Sequence, residues 1–277
     1  MKSVNKTQLL VISGSLLLIV LLLFANTKIP ANKEEVGMSD HAGVKAPDVA
    51  TFVAAAKNAL TLSQKKDLEK LEAALKTATD KKKAYEDIIN LCDSLRQPTA
   101  AAFYMEEAAV ASPNGKNWFE AGNRYYNATR FAKDDEKPVL YAKAIDCFSK
   151  TLELDPTNVE AKISLGACYV EGTSEPMKGI GMLKDVEKTD SNNVNLQLNF
   201  AFFSERSGQW DKAISRFQKV LKIQPDFIEA YLHLADAYQQ KGDKAKAIES
   251  LEKYKGLVDD LTIKTEIQDY INKLKTN

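Results

Sequence analysis

The chain has 277 residues, with 38 basic and 38 acidic side chains and a formal net charge of zero. That balance leaves no basic footprint for nucleic-acid phosphates, so nucleic acid is excluded as a partner. The two histidines, His41 and His233, are far apart, and Cys92, Cys147 and Cys168 form no CxxC pair, so neither a metal cluster nor a small disulfide framework is written in the sequence.

Residues 1–8 are a short polar tail carrying Lys2 and Lys6. Leu9 to Ala25 comes next without a charge, apolar on every face except at Ser13-Gly14-Ser15. The run is at the short end of a bilayer span and longer than the apolar core of a usual signal peptide. Ala25 and Ala31 each come after a bulky residue two positions earlier, Leu23 and Ile29, which makes poor cleavage chemistry. No cysteine stands beyond the run to carry a lipid. Residues 9–25 are therefore predicted to be an uncleaved transmembrane signal anchor, with a cleaved signal peptide as the alternative. The short tail with two lysines sends the large C-terminal part outward. The expectation is a single-pass inner-membrane protein with its folded part on the periplasmic side. The small residues at 13–15 would also let two spans pack, so self-association of a structural membrane protein is the rival reading.

Residues 26–62 are polar and punctuated by Pro30, Gly37, Gly43 and Pro47, a flexible tether in which Asp48–Leu60 could form a short helix. His41 lies in this tether with no second ligand type beside it. From residue 63 helical periods begin: Leu68, Leu71 and Leu75, then Tyr85, Ile88, Ile89 and Cys92. Pro98 breaks the pattern, an alanine-rich helix runs from Ala100 to Val110, and Ser112-Pro113-Asn114-Gly115 ends it. Residues 63–117 thus read as N-terminal helices that include a degenerate copy of the unit repeated beyond Trp118.

From Trp118 to Tyr254 the chain is periodic. Ala144-Ile145 with Phe148, Gly179-Ile180 with Leu183, Ala213-Ile214 with Phe217, and Ala247-Ile248 with Leu251 recur at spacings of 35, 34 and 34. Pro156, Ser191 and Pro225 mark the intervening turns at the same spacing. Tyr231, Leu234, Ala235 and Tyr238 share one helix face, and Gly242-Asp243 stops that helix. A period near 34 with two helices per unit is the signature of a stacked solenoid. On the residues Leu165-Gly166, Cys168-Tyr169, and Tyr231, Leu234-Ala235, Tyr238, Gly242, Ala247 and Leu251, the chain resembles tetratricopeptide repeat (TPR) proteins, in particular membrane-anchored bacterial ones. The resemblance implies an all-α, right-handed helix-turn-helix solenoid: four repeats over 118–256 and a capping helix over 257–277. Gly122 and Ala144 are ten residues further apart than Ala235 and Ala247, which places an insertion around Arg130 to Pro138.

No glycine-rich phosphate loop, nucleophile elbow or H-E-x-x-H motif is present. The acidic pairs, such as Asp134-Asp135 and Glu106-Glu107, read as solvated faces or caps. The expectation is therefore a non-enzymatic interaction module without metal or cofactor. By the resemblance, its concave groove is lined by the first helix of each repeat and takes a protein or peptide partner. The positions read as facing it are Phe119, Asn123, Tyr126, Asn127, Asn195, Asn199, Phe202, Arg206, His233, Asp236 and Gln240, with Ser164 and Ala167. TPR domains that clamp acidic chaperone tails carry a Lys/Asn/Asn/Lys/Arg set there. Only Asn123 matches it, Ser164 stands in for the second Asn, and Asn195 and Asn199 replace the cations, which argues against a co-chaperone of that type. The aromatic residues either anchor a partner among amides or pack against the chain itself.

Overall fold

The computed structural model describes residues 48–276. The predicted tail, the anchor at 9–25 and the tether up to residue 47 lie outside the described residues. Among the described residues there are thirteen α-helices and no strand, and no helix is long and apolar enough to cross a membrane. They form two compact units, one running to Ala230 and the other starting at Tyr231.

In the first unit, α1 (Val49–Asn58) and α2 (Leu62–Thr77) precede four hairpins. These are α3 (Lys81–Ser94) with α4 (Pro98–Ala111), α5 (Gly115–Ala128) with α6 (Lys137–Leu154), α7 (Val159–Gly172) with α8 (Pro176–Thr189), and α9 (Val194–Arg206) with α10 (Trp210–Ile223). α11 (Glu229–Gln240) begins at the boundary, and α12 (Lys244–Leu257) and α13 (Leu261–Thr276) complete the second unit, where they pack on each other. The segment read as a tether is folded from Asp48 onward. Asp48 caps α1, and Val49 and Val53 are buried where α1 lies against α4.

The repeat is visible in the backbone itself. Ser112, Asp155, Asp190 and Gln224 end the second helices with nearly the same dihedrals, φ −139, −139, −138 and −132° and ψ 78, 87, 68 and 88°. Asn114, Asn158 and Asn193 then cap the next first helices. Each accepts a hydrogen bond from the amide three residues on, at 2.9, 2.9 and 3.0 Å, filling the orphan donors of a helix start. The turns inside the hairpins repeat too. Arg96, Gly208 and Gly242 have φ of 55, 68 and 77°, and the amide after each reaches back five residues, to the carbonyls of Cys92, Ser204 and Tyr238. This is the left-handed helix stop that glycine fits. Arg96 occupies glycine's place in α3–α4, so that hairpin shares the backbone period although its residues hide it. The insertion becomes a loop over 129–136 and an α6 of 18 residues, where α4, α8 and α10 have 14.

Small residues set the spacing inside hairpins. A Cβ on Gly179 of α8 would lie 2.3 Å from the Gly166 carbonyl oxygen of α7 and 2.8 Å from Val170 Cγ2. A Cβ on Gly122 would meet the Phe148 ring at 2.6 Å. Between successive hairpins, polar bridges add to apolar packing. Glu72 joins Lys57 of α1 to Tyr104 of α4. Glu106 of α4, 8% exposed, accepts from the Tyr125 hydroxyl (2.6 Å) and the Lys143 ammonium (2.9 Å). Gln197 of α9, fully buried, donates to the Ser191 carbonyl at 2.8 Å and accepts from Arg216 at 2.8 Å, while Arg216 also pairs with Glu187 of α8. Cys92, Cys147 and Cys168 are buried free thiols. Burial pushes the first two up to about 11 and about 12 and the third higher still, so all are held as unreactive apolar filler.

This packing sets the outcome of three substitutions. Gly179→Ala drives a methyl into the α7 backbone and lowers stability by about 1–3 kcal/mol, read from denaturant midpoints. Arg96→Gly removes left-handed strain at an exposed side chain and raises stability by about 1 kcal/mol, a Tm increase of about 2–4 °C by calorimetry. The hydrogen bond from Arg216 holds the Glu187 carboxyl below its ordinary value. The stability from that pair is therefore full above the ordinary carboxylate range and fades as pH falls through the lowered value. Glu187→Gln costs stability near neutrality, and unfolding at stepwise lower pH shows its difference from wild type shrinking.

Candidate partner-binding groove

The parallel first helices α5, α7 and α9 lie side by side and enclose an open cleft of about 450 Å³. Its lining combines Phe119, Asn123, Tyr126 and Arg130 from α5 and the loop after it, Glu160, Ile163 and Ser164 from α7, and Asn195, Leu198, Asn199 and Phe202 from α9. Seven of the sequence-read positions thus meet in one place: Phe119, Asn123, Tyr126, Ser164, Asn195, Asn199 and Phe202. Asn127 and Arg206 are exposed and outside the lining. His233, Asp236 and Gln240 belong to α11 in the second unit, where the Gln240 amide donates to Asp236 at 3.3 Å.

Two polar knots close the ends of the cleft. At the start of α7, the two carboxylate oxygens of Glu160 accept from the amides of Asn193 (2.9 Å) and Asn195 (2.8 Å) on the next hairpin. At its end, Glu171 accepts from the Tyr126 hydroxyl at 2.8 Å, the Tyr141 hydroxyl at 3.3 Å and the Arg206 guanidinium at 2.6 Å. One carboxylate thereby fastens three consecutive hairpins. Burial first, then the Glu171 charge, raises the Tyr126 phenol well above its usual value.

The structure divides the aromatic positions between fold and surface. Phe119 rests on Phe148 with ring centroids 5.7 Å apart, Phe202 stands edge-on to Phe217 at 5.6 Å, and Tyr126 meets Tyr141 at 6.1 Å. They are half-buried, one side spent on the core and the other lining the cleft. Their packing partners are second-helix residues of their own hairpins. The amides are different: Asn199 donates to the Asn195 carbonyl at 2.8 Å and keeps its oxygen open, while Asn123 and Ser164 make no side-chain hydrogen bond among the described residues.

Register relates the lining residues of successive helices. Asn123 is nine residues after its helix cap, and nine after Asn158 and Asn193 come Ala167 and Phe202. Ser164, six residues after its cap, shares its register with Asn199. Sequence reasoning missed Arg130, Glu160, Ile163, Leu198 and Glu171. Glu171 shares the register of Asn127 and Arg206, thirteen after the cap, which was the signal in the sequence. The most buried carboxylates are taken up by hairpin bridges, and no group of His, Cys, Asp and Glu among the described residues could hold a metal ion. Glu171→Gln removes the charge that pairs with Arg206 and holds the Tyr126 and Tyr141 hydroxyls, and it lowers stability by about 1–3 kcal/mol, read from denaturant midpoints.

Residues 206–242 match a family model described as TPR repeat, and residues 228–257 match one described as tetratricopeptide repeat. Superkiller protein 3 of Schizosaccharomyces pombe is 26% identical over 184 residues, which make up 59% of this chain and only 13% of that protein. A tetratricopeptide repeat protein from Parabacteroides merdae has a similar structure, with TM-score 0.52 at 15% identity, over 82% of this chain and 89% of that one. PilW, described as a widely conserved type IV pilus biogenesis factor, gives TM-score 0.51 at 18% identity, over 72% and 92%. At these identities the likeness is one of fold. The chain carries tetratricopeptide repeats in an all-helical solenoid.

Proposed function

We propose that this chain is a non-enzymatic, membrane-tethered interaction module that holds a segment of a partner protein in the cleft of α5, α7 and α9. The observation that carries the reading is the pairing of hydrogen-bonding groups left open, at Asn123, Ser164 and the Asn199 oxygen, with an apolar floor of Phe119, Ile163, Leu198 and Phe202. Such a surface pairs with a peptide backbone while covering its side chains. Tetratricopeptide repeats are interaction modules, and an open repeat surface supplies an extended groove for that role. The tether rests on the uncharged run from Leu9 to Ala25 and on the two lysines before it, which favour an inner-membrane anchor with the repeats on the periplasmic side.

The packing decides which substitutions test this. Phe202 and Tyr126 are built into the fold, so replacing them would damage hairpins as well as groove. Asn123→Ala combined with Asn199→Ala leaves helix content and Tm unchanged and weakens partner capture at least about tenfold, by loss of two hydrogen bonds of about 1 kcal/mol each. Photocrosslinking in membranes from a probe at Asn127, on the rim, reads this; undiminished crosslinks in the double variant would remove the cleft from the account. Deleting residues 2–26 moves the chain from the membrane to the soluble fraction. Retention in the membrane pellet would count against the anchor.

A further inference from the structure

The cleft is asymmetric in shape and charge, and that asymmetry describes its ligand. Its centre is low: α7 contributes Ser164 over buried Ala167, while Phe119 on α5 and Phe202 on α9 stand at either side. A bulky apolar side chain entering there has Phe119, Ile163 and Phe202 in the surrounding lining. The cations nearby differ in one respect. Arg124 is paired with Asp93 and Glu120, Arg206 with Glu171, and Arg216 with Glu187. Arg130, exposed at the α5 end of the cleft, has no carboxylate partner among the described residues. At the α7 start stands the Glu160 carboxylate, whose oxygens accept from Asn193 and Asn195. The Arg130 end also holds the Glu171 carboxylate, but Arg206 offsets it, so that end attracts an anion while the Glu160 end repels one.

Building on the peptide-binding reading, we propose that the occupant is an extended peptide segment with a bulky apolar residue seated over Ser164 and a carboxylate, from Asp, Glu or a chain terminus, placed on Arg130. Backbone groups between these two anchors pair with Asn123, and those beyond the apolar residue pair with the Asn199 oxygen. The Glu160 end excludes the reverse orientation, because it would bring two carboxylates together in a partly desolvated site. This is a single-cation arrangement contributed by the loop that carries the insertion, distinct in residues and position from a clamp built of several groove lysines.

The test is a random peptide library displayed on phage, selected on the full-length chain in detergent and counter-selected on its Ser164→Phe variant, which fills the centre. Enriched peptides are synthesised in acidic form and with Asp and Glu replaced by Asn and Gln, and binding is read by fluorescence anisotropy. The enriched sequences are expected to share an apolar residue and an acidic group at fixed spacing. Removing the acid weakens binding about fivefold at low salt, less at high salt. Arg130→Gln weakens the acidic peptide by the same factor and leaves the amide peptide unaffected; this residue is exposed, so the variant folds. If the peptides depend on Ser164 but are indifferent to both acid removal and Arg130→Gln, the charge assignment falls and the cleft reading stands. If no peptide distinguishes wild type from a folded Ser164→Phe chain, the cleft reading itself falls.

Discussion

A helical hairpin cannot hide its apolar face alone, and this constraint explains most of the first unit. Each pair of helices closes at a contact where one residue has little or no side chain, as at Gly166 against Gly179 and at Gly122 beneath Phe148. The exposed flank is then covered by the next hairpin. Apolar packing is non-directional, so it favours stacking without choosing a register. Register comes from the polar bridges. Glu106, Glu171 and the Arg216–Gln197–Glu187 group each join residues from different hairpins. A slide of one turn would leave these groups half-satisfied in partly dry surroundings, at a cost exceeding any gain in area.

The same bridges shape the groove. Glu160 and Glu171 tie α7 to α9 near the two ends of each helix, and Glu171 also ties α7 to α5. Between the knots, the side chains of Ser164 and Asn123 make no cross-helix hydrogen bond among the described residues. The depression is thus a consequence of where structural bonds are placed and where small residues fall. It is held open by a stiff frame, which lowers the ordering cost of receiving a ligand.

The period is legible in the residues because the helix-crossing positions must stay small in every copy, and Ala144, Gly179, Ala213 and Ala247 show it. The α3–α4 hairpin was only partly legible, because Arg96 sits where the turn wants glycine and a residue scan gives it no weight. The groove was legible in register and not in contacts. Helical phase says that Phe119 and Phe202 face inward to the groove, but whether a ring lies flat on the core depends on Phe148 and Phe217, which come from other helices. Glu171 escaped notice for the same reason: its partners are 45 and 35 residues away, and nothing local to Tyr169-Val170-Glu171-Gly172 announces them.

The open groups of the cleft suit recognition on physical grounds. Catalytic carboxylates need an environment that perturbs them while leaving a lone pair or proton for the substrate, inside a pocket that excludes water. Here burial and availability exclude one another. Glu106 is buried, and both of its oxygens are committed to Tyr125 and Lys143. Glu171 is likewise consumed by two phenols and a guanidinium. The groups left open in the cleft, Asn123, Ser164 and Arg130, are an amide, a hydroxyl without a base beside it and a permanent cation. None of these moves a proton at neutral pH, but all three can hold a polar ligand in place, which is the chemistry of an interaction surface.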